Sequence, residues 1–469
     1  MVGQNRWLRL SPALISALLI ASVFMAVRIA GAIRTTLGVT ASAGAGNGAS
    51  SQNPPQALVG ITRLHRLLGG ETPLGTGIIA GHVEGVSGDY MPSIHAETLG
   101  GVRLVAISGA SRINDHATAT ASLIYGPNGM APGIGQVHHY HVADFLGREY
   151  LRFGSTRRPG SNELHLFNHS WIGQDRGAAA EVLMRLDDAI DTHDVVMVVG
   201  VDNGRSSRVP ALLASAYNAI AVGQWDGDSS GGYTRLETPG RCKPDIVGPG
   251  SRTSLSTPVV TAVVARLLEA ARAMTEHPHA MRAELIKAVL LAGATKPGNW
   301  RPAGGKPLDE HLGAGRADAV ASHAILAAGP LRQGGVMPSR GWCFDQLPAG
   351  GSRTFSLHLP RHAGELSLVL VWHRRVDDLR DVDRSNIYWS PRPRVADFDL
   401  ELVRVDEVHR TTAIAGSASR IDNVEHIHRT GVDAGLYRVN ISRCDRYEEL
   451  WDYALAWRIE DVQTTLAAR

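Results

Sequence analysis

The sequence predicts an α/β protein, a mostly parallel sheet with helices on both faces, followed by an all-β sandwich. Three observations carry this. Short apolar runs alternate with helical patterns from about residue 57 to residue 330. One of them, "DVVMVVGVDNG", is almost continuous valine, as suits a strand covered on both faces. From residue 331 to residue 469 the chain turns to short alternating runs separated by turns, the pattern of a sandwich.

Taken in order, the N-terminus comes first. Arg6 and Arg9 precede an uncharged, mostly apolar run over residues 10–27, and Arg28 closes it. A positive flank before such a run reads as a signal peptide or an uncleaved membrane anchor over residues 1–34. Ala30-Gly31-Ala32 offers small residues for cleavage. Residues 35–56 are rich in Gly, Ala and Ser and read as a flexible linker. The folded part is therefore expected outside the cytoplasm, secreted or in the cell envelope, with the N-terminal run as its membrane tether if retained.

Next come the runs "GTGIIAGHVEG", "VRLVAISG" and "ELHLFNHS", each read as a strand. "GAAAEVLMRLDDAIDTH" places Val182, Leu183, Leu186 and Ile190 at helical spacing. "DVVMVVGVDNG" and "NAIAVGQWDG" return to strand character. In "GSRTSLSTPVVTAVVARLLEAA" a small polar cluster meets Pro258 and runs into a helix that is apolar almost all round.

Composition narrows the function. Of 469 residues, 44% are hydrophobic and 20% charged, an ordinary globular balance. Lys and Arg number 47 against 45 Asp and Glu, and no basic stripe points to nucleic acid. Cys242, Cys343 and Cys444 are too few and too scattered for a zinc site or a disulfide framework.

Catalytic groups in parallel sheets gather at the carboxyl ends of strands. There the unusual polar residues stand: Glu84, Asn168 and Asn203 each end a run. His116 opens the small-residue helix "NDHATATASLIYG", and Ser254 stands at the mouth of another. Each has an ordinary reading. His116 or Ser254 caps a helix, Asn203 makes a turn, and Glu84 pairs with Arg103 or Arg112. Together they run acid, His, Ser along the chain, one of the orders known among convergent triads.

The same stretches resemble the subtilisin-like serine proteases. "TSLSTPVVTAVVA" is similar to that family's nucleophile motif, Gly-Thr-Ser-Met-Ala-x-Pro, and "KPDIVGPG" to the segment before it. "HATATA" resembles His-Gly-Thr-x-Val-Ala, and "GMAPGIGQVHHYHV" the Gly-Val-Ala-Pro stretch that follows. "FNHSWIG" resembles the substrate strand, and "VVMVVGVDNG" the strand whose Asn completes the oxyanion hole. "PALLASAYNAIAVGQWDG" and "LGAGRADAVASHAIL" are like the later conserved segments, so the likeness runs from about Val59 to Ala328.

The resemblance implies a serine endopeptidase acting on peptides or proteins, without metal or cofactor. Ser254 is its nucleophile, His116 its base, Glu84 its acid and Asn203 its oxyanion donor. Asn168, Ser170, Trp171 and Gly173 are its substrate-binding residues. Glu84 departs from the family's Asp, with Asp89 and Asp115 as substitutes. Arg252 replaces the usual Gly, the loop to Ser254 is short, and no room is seen for a folding propeptide. These departures keep open an inactive relative that binds peptides. His82, on the same strand face as Glu84, offers an alternative metal pair with it. Oligomeric state is left open.

The tail contributes "FSLHLP", "LSLVLVWH", "DFDLELVRV", "LYRVNISR" and "YALAWRIE" as strands. It resembles the jelly-roll domain that follows some subtilisin-like catalytic domains, through Trp372, Asp397/Asp399 and Asn423-Val424-Glu425. Cys343 and Cys444 are its candidate bridge, and Asp397 with Asp399 reads as ordinary surface charge or a metal pair.

Overall fold

A computed structural model describes residues 39–40, 54–85, 88–161, 163–174, 177–237, 240–331, 334–378 and 390–461. The signal or anchor segment and most of the linker lie outside them. Within the linker span, Val39–Thr40 forms a strand, β1, and Pro55 opens the short helix Pro55–Leu58.

The first half is a seven-stranded sheet. Its strands are β2 (Ile79–Glu84), β3 (Arg103–Ala106), β4 (Gln136–His141), β5 (Leu166–His169), β7 (Val196–Gly200), β8 (Ile220–Gln224) and β11 (Ile246–Gly248). The order is β11-β8-β7-β5-β2-β4-β3 and every pairing is parallel. Two-residue strands β6 (Ile172–Gly173), β9 (Gly232–Tyr233) and β10 (Cys242–Lys243) lie outside the sheet. The expected runs fold as strands, and β4 enters between β2 and β3. From central β2 the chain winds to one side through β3 and β4, then crosses to the other through β5. The direction reverses between β2 and β5, and in such sheets ligands bind at the carboxyl ends of the strands at that point.

The helix Thr253–Arg272 runs through the centre of this half, and its residues from Val259 to Ala265 are all buried. It packs on β5, β7, β8 and β11 and on the helix Asp115–Ile124, so no face needs to be polar. It starts at Thr253, five residues before Pro258, rather than at the proline. Pro258 carries no N–H and leaves the Ser254 carbonyl without its helical partner. The helix Ala283–Gly293, which has no amphipathic signature, is buried along its length.

The second half is a β-sandwich. One sheet orders β12 (Val336–Met337), β14 (Ser352–Leu359), β21 (Gly435–Arg443), β18 (Phe398–Val405) and β19 (Thr411–Ser417). The other orders β13 (Arg340–Leu347), β22 (Trp451–Asp461), β15 (Ala363–Val371) and β20 (Val424–Val432), while β16 (Arg375–Asp378) and β17 (Pro391–Arg394) form an antiparallel pair of their own. Trp372, Phe398, Trp451, Tyr453 and Trp457 fill its core. The three cysteines are free, which corrects the expected bridge. Cys343 is buried on β13, while Cys444, next to the end of β21 in the opposite sheet, is exposed and donates to Asp399.

The sandwich is joined to the first half by more than its connecting chain. Val369, Val371, Ala454 and Ala456 belong to the first half's core, against the helix Ala283–Gly293. Arg458 donates to the carbonyls of Ala292 and Ala294, and Asn218 exchanges two hydrogen bonds with the backbone of Arg374. Arg374 Nε lies 2.8 Å from Asp187, both almost fully buried. Arg374→Ala leaves that carboxylate without its cation. It is expected to destabilise the protein by about 3–5 kcal/mol, read by chemical denaturation.

Candidate active site

A strand end, two helices and a loop carry the expected residues; Glu84 meets His116, and Asn203 meets Thr253, the neighbour of Ser254. β2 ends in Glu84, whose side chain is 3% exposed, and Gly85 then turns the chain at φ +96°. A Cβ at Gly85 would lie 2.7 Å from Tyr90 and 2.8 Å from His141, so only glycine fits between them. The helix Asp115–Ile124 is capped by Asn114, which accepts from the Ala117 N–H at 2.8 Å. That cap fixes the first turn, in which His116 faces Glu84. Ala117 and Ala121 are fully buried, and this helix packs on Thr253–Arg272.

His116 Nδ1 lies 3.1 Å from Glu84 Oε2, although the two are 32 positions apart. Neither substitute acid meets the ring. Asp89 accepts from the Arg112 backbone, and Asp115 is exposed. Arg112 and Arg103 do not reach Glu84 either, since Arg112 pairs with Asp89 and Arg103 bonds Gln136. Burial pushes the Glu84 carboxyl up. The hydrogen bonds of His116 and His82 outweigh it and bring it down to about 2. Burial pulls His116 down, yet the Glu84 hydrogen bond and charge raise it overall, against Arg252. His116 Nε2 is buried with no hydrogen-bond partner.

Ser254 stands second in the helix Thr253–Arg272, with Arg252 at the N-cap position. The arginine makes no side-chain cap. Asn203, in the loop after β7, supplies one instead. Its Oδ1 accepts from the Thr253 N–H at 2.9 Å and from the Thr253 hydroxyl at 3.1 Å. These two bonds use the Asn203 oxygen, and the placement of O and NH2 on this amide follows from them. The short loop is tight, and a Cβ on Gly250 would lie 2.7 Å from the Ser256 nitrogen. Thr253, which orients Asn203, was not singled out from the sequence; a threonine beside a nucleophile carries no local sign of that bond.

The four expected substrate-binding residues are placed differently. Asn168 is 1% exposed; its Nδ2 donates to Ser170 and its Oδ1 accepts from Thr261 of the helix Thr253–Arg272. Ser170 and the Trp171 ring are buried. These side chains work inside the fold, tying β5 to the central helix. What remains for an extended chain is the backbone of β6. Gly173 exchanges two hydrogen bonds with Leu212 and pairs antiparallel with Val39, as Ile172 does with Thr40. His82 is no metal ligand here: both ring nitrogens are engaged, Nδ1 with Tyr125 and Nε2 with Thr120.

A carboxylate on an imidazole and a serine in the first turn of a helix, at the carboxyl edge of a seven-stranded parallel sheet, define the serine-protease fold of subtilisin type. Residues 106–315 match the family model described as the subtilase family. The matched span holds His116, Asn203 and Ser254 and begins after Glu84. Solved structures similar to the chain include the PatG macrocyclase in complex with peptide, at 16% identity. That likeness covers 59% of this chain and 99% of that one, with a TM-score of 0.40. Fervidolysin from Fervidobacterium pennivorans, a keratinolytic enzyme related to subtilisin, is 14% identical over 83% of this chain and 74% of its own, TM-score 0.36. The serine protease MycP1, an essential component of the type VII (ESX-1) secretion system, is 13% identical over 61% and 92%, TM-score 0.34. No curated protein matches the sequence.

Proposed function

We propose that the protein is a serine endopeptidase whose triad is Glu84, His116 and Ser254. The observation that carries the reading is the 3.1 Å approach of Glu84 Oε2 to His116 Nδ1. In this scheme Glu84 holds the Nδ1–H tautomer, so Nε2 is bare and takes the Ser254 proton. The serine oxygen attacks the peptide carbonyl, and His116 returns the proton to the leaving amine. The developing oxyanion is met by the Asn203 amide and the Ser254 N–H, at a helix terminus that favours negative charge. The substrate pairs with the backbone edge of β6, a mode of recognition by strand addition. The antiparallel pairing of Val39–Thr40 on that edge supports this.

The test is covalent labelling with a fluorophosphonate probe. Wild type is expected to label and Ser254→Ala to lose all label. An unlabelled wild type would turn the reading to a peptide-binding relative.

The raised His116 pKa sets the pH dependence. General-base action needs the neutral ring, so activity is lost as pH falls through its pKa. The acid limb of kcat/KM is expected above the ordinary histidine value of 6.5. A limb below 6.5 in a pH–rate profile would break the pairing with Glu84.

We place the protein outside the cytoplasm, on the strength of the apolar run over residues 10–27. Full-length chain is expected in the membrane or extracellular fraction, and deletion of residues 1–34 should release a soluble protein. Recovery of the full-length chain from soluble cytoplasm would refute this.

A further inference from the structure

Behind Glu84 lies a buried chain of polar groups that the triad does not use. His82 is on β2, two residues before Glu84, and is fully buried. Its Nδ1 is 3.1 Å from the Tyr125 hydroxyl, and its Nε2 is 3.1 Å from Thr120 Oγ1. Tyr125 in turn is 3.0 Å from His139 Nε2 on β4. At the other end, Thr120 Oγ1 lies 3.3 Å from Glu84 Oε1, and His82 Nε2 lies 3.6 Å from the same oxygen. The rings of His82 and His139 stack with centroids 5.2 Å apart. Two histidines, a tyrosine and a threonine thus converge on the carboxylate oxygen that His116 leaves free.

The directions of these bonds can be worked out. His139 Nδ1 is buried with no partner. A bare ring nitrogen is easier to leave there than an orphaned N–H, so the His139 proton belongs on Nε2. Nε2–H then donates to the Tyr125 oxygen. The Tyr125 hydroxyl has one proton, and it must point to His82 Nδ1. His82, accepting at Nδ1, carries its own proton on Nε2, aimed at Thr120 and Glu84. The His139, Tyr125 and His82 protons therefore all run toward the carboxylate, while the single Thr120 proton is shared among Glu84 Oε1 and the carbonyls of His116 and Ala117. Had the Tyr125 proton pointed to His139, His82 would carry Nδ1–H and present a lone pair beside the Glu84 anion.

We propose that His82, set in its Nε2–H tautomer by Tyr125 and His139, is a positioning residue that holds Glu84 in place for His116. The need arises from the departure at this position. Glu has one more rotatable bond than Asp, so a single hydrogen bond to His116 fixes it less well. A second anchor on Oε1, from His82 and Thr120, supplies the missing constraint. The charged and titratable groups around the pair come from every neighbouring element: His82 on β2, Tyr125 after the His116 helix, His139 and His141 on β4, His169 on β5 and Arg252 before the Ser254 helix. In its catalytic consequence the inference rests on the triad reading; in its structural content it does not.

The test reads the imidazoles directly. Nitrogen-15 NMR of the histidine-labelled protein is expected to show His82 as the Nε2–H tautomer, assigned by its loss in His82→Leu. Tyr125→Phe, which removes one oxygen, should release His82 to the other tautomer. In Tyr125→Phe and His82→Leu the pKa of His116 should fall by about one pH unit, because Glu84 is then free to leave it. His82→Gln, whose amide places a donor near Nε2, should retain most of the wild-type His116 value. Where the labelling of Ser254 holds, kcat should fall on the order of 10- to 100-fold in His82→Leu at unchanged KM and recover in His82→Gln. A wild-type His82 bearing Nδ1–H, or a His116 titration unmoved by all three variants, would overturn the proposal. Because the tautomer and the titration are read without substrate, they decide it even if Ser254 proves unreactive.

Discussion

Glu84→Gln is expected to lower kcat on the order of 10³–10⁴-fold in a protein that still folds, the size seen when a triad's acid loses its charge. The amide keeps the length and shape of Glu but changes the bond to His116. The Gln NH2 can face Nδ1 only if the imidazole proton moves to Nε2, and the nitrogen that should receive the Ser254 proton is then blocked. The charge that supports the imidazolium is lost as well. Both losses fall on the transition state, so KM should hardly move. A second consequence follows for stability. Folding lowers the Glu84 pKa from 4.5 to about 2, so its charge stabilises the fold above pH 4.5, and that contribution fades as pH falls toward 2. The Gln variant should lack this window in acid denaturation. Glu84→Asp, one methylene shorter, should lie between wild type and Gln, since β2 holds the backbone in register with His141 and does not advance to close the gap. Full activity in Glu84→Gln would remove Glu84 from the triad.

Asn203→Ala is expected to lower kcat roughly 10²–10³-fold with little change in KM, the usual cost of one oxyanion donor. The geometry adds a complication that can be separated. Asn203 also caps the helix Thr253–Arg272 through its Oδ1, so alanine removes both an amide donor and a cap. Loss of a cap costs about 0.5–2 kcal/mol of stability and should appear in the melting temperature. Asn203→Asp keeps the capping oxygen and replaces the NH2 by an acceptor. It should therefore keep the stability and lose the activity. If KM rises while kcat holds, Asn203 contacts the bound substrate or shapes the loop, and the oxyanion role falls to another donor.

Much of this architecture was legible before any coordinates. The valine run over Val196–Gly200 and the runs that became β2, β5 and β8 announced buried parallel strands, because a strand covered on both faces needs apolar residues at most positions. The small residues of the helix Asp115–Ile124 and the spacing of Ser254 to Pro258 are likewise local, and a local pattern survives in a single sequence. The order of Glu84, His116, Asn203 and Ser254 could be read for the same reason.

What the sequence left open depends on contacts between distant segments. Three carboxylates stood near His116 in the chain, and only the packing of β2 beside the helix Asp115–Ile124 selects Glu84 over Asp89 and Asp115. Asn168, Ser170 and Trp171 were read as substrate-binding residues from a short motif, which does not say which side chains face inward; in the fold their side chains are buried, and Asn168 meets Thr261 of the central helix. The helix Ala283–Gly293 lacks a polar stripe because the sandwich covers one side of it and the α/β core the other. Its buried Lys287 is held by Asp245, 42 positions earlier and 3.1 Å away, and by the carbonyls of Tyr217 and Ala219. A periodicity records how much of an element is covered, whereas the identity of what covers it is fixed by the fold, since pairs so far apart in sequence share no local geometry until the chain has closed around them.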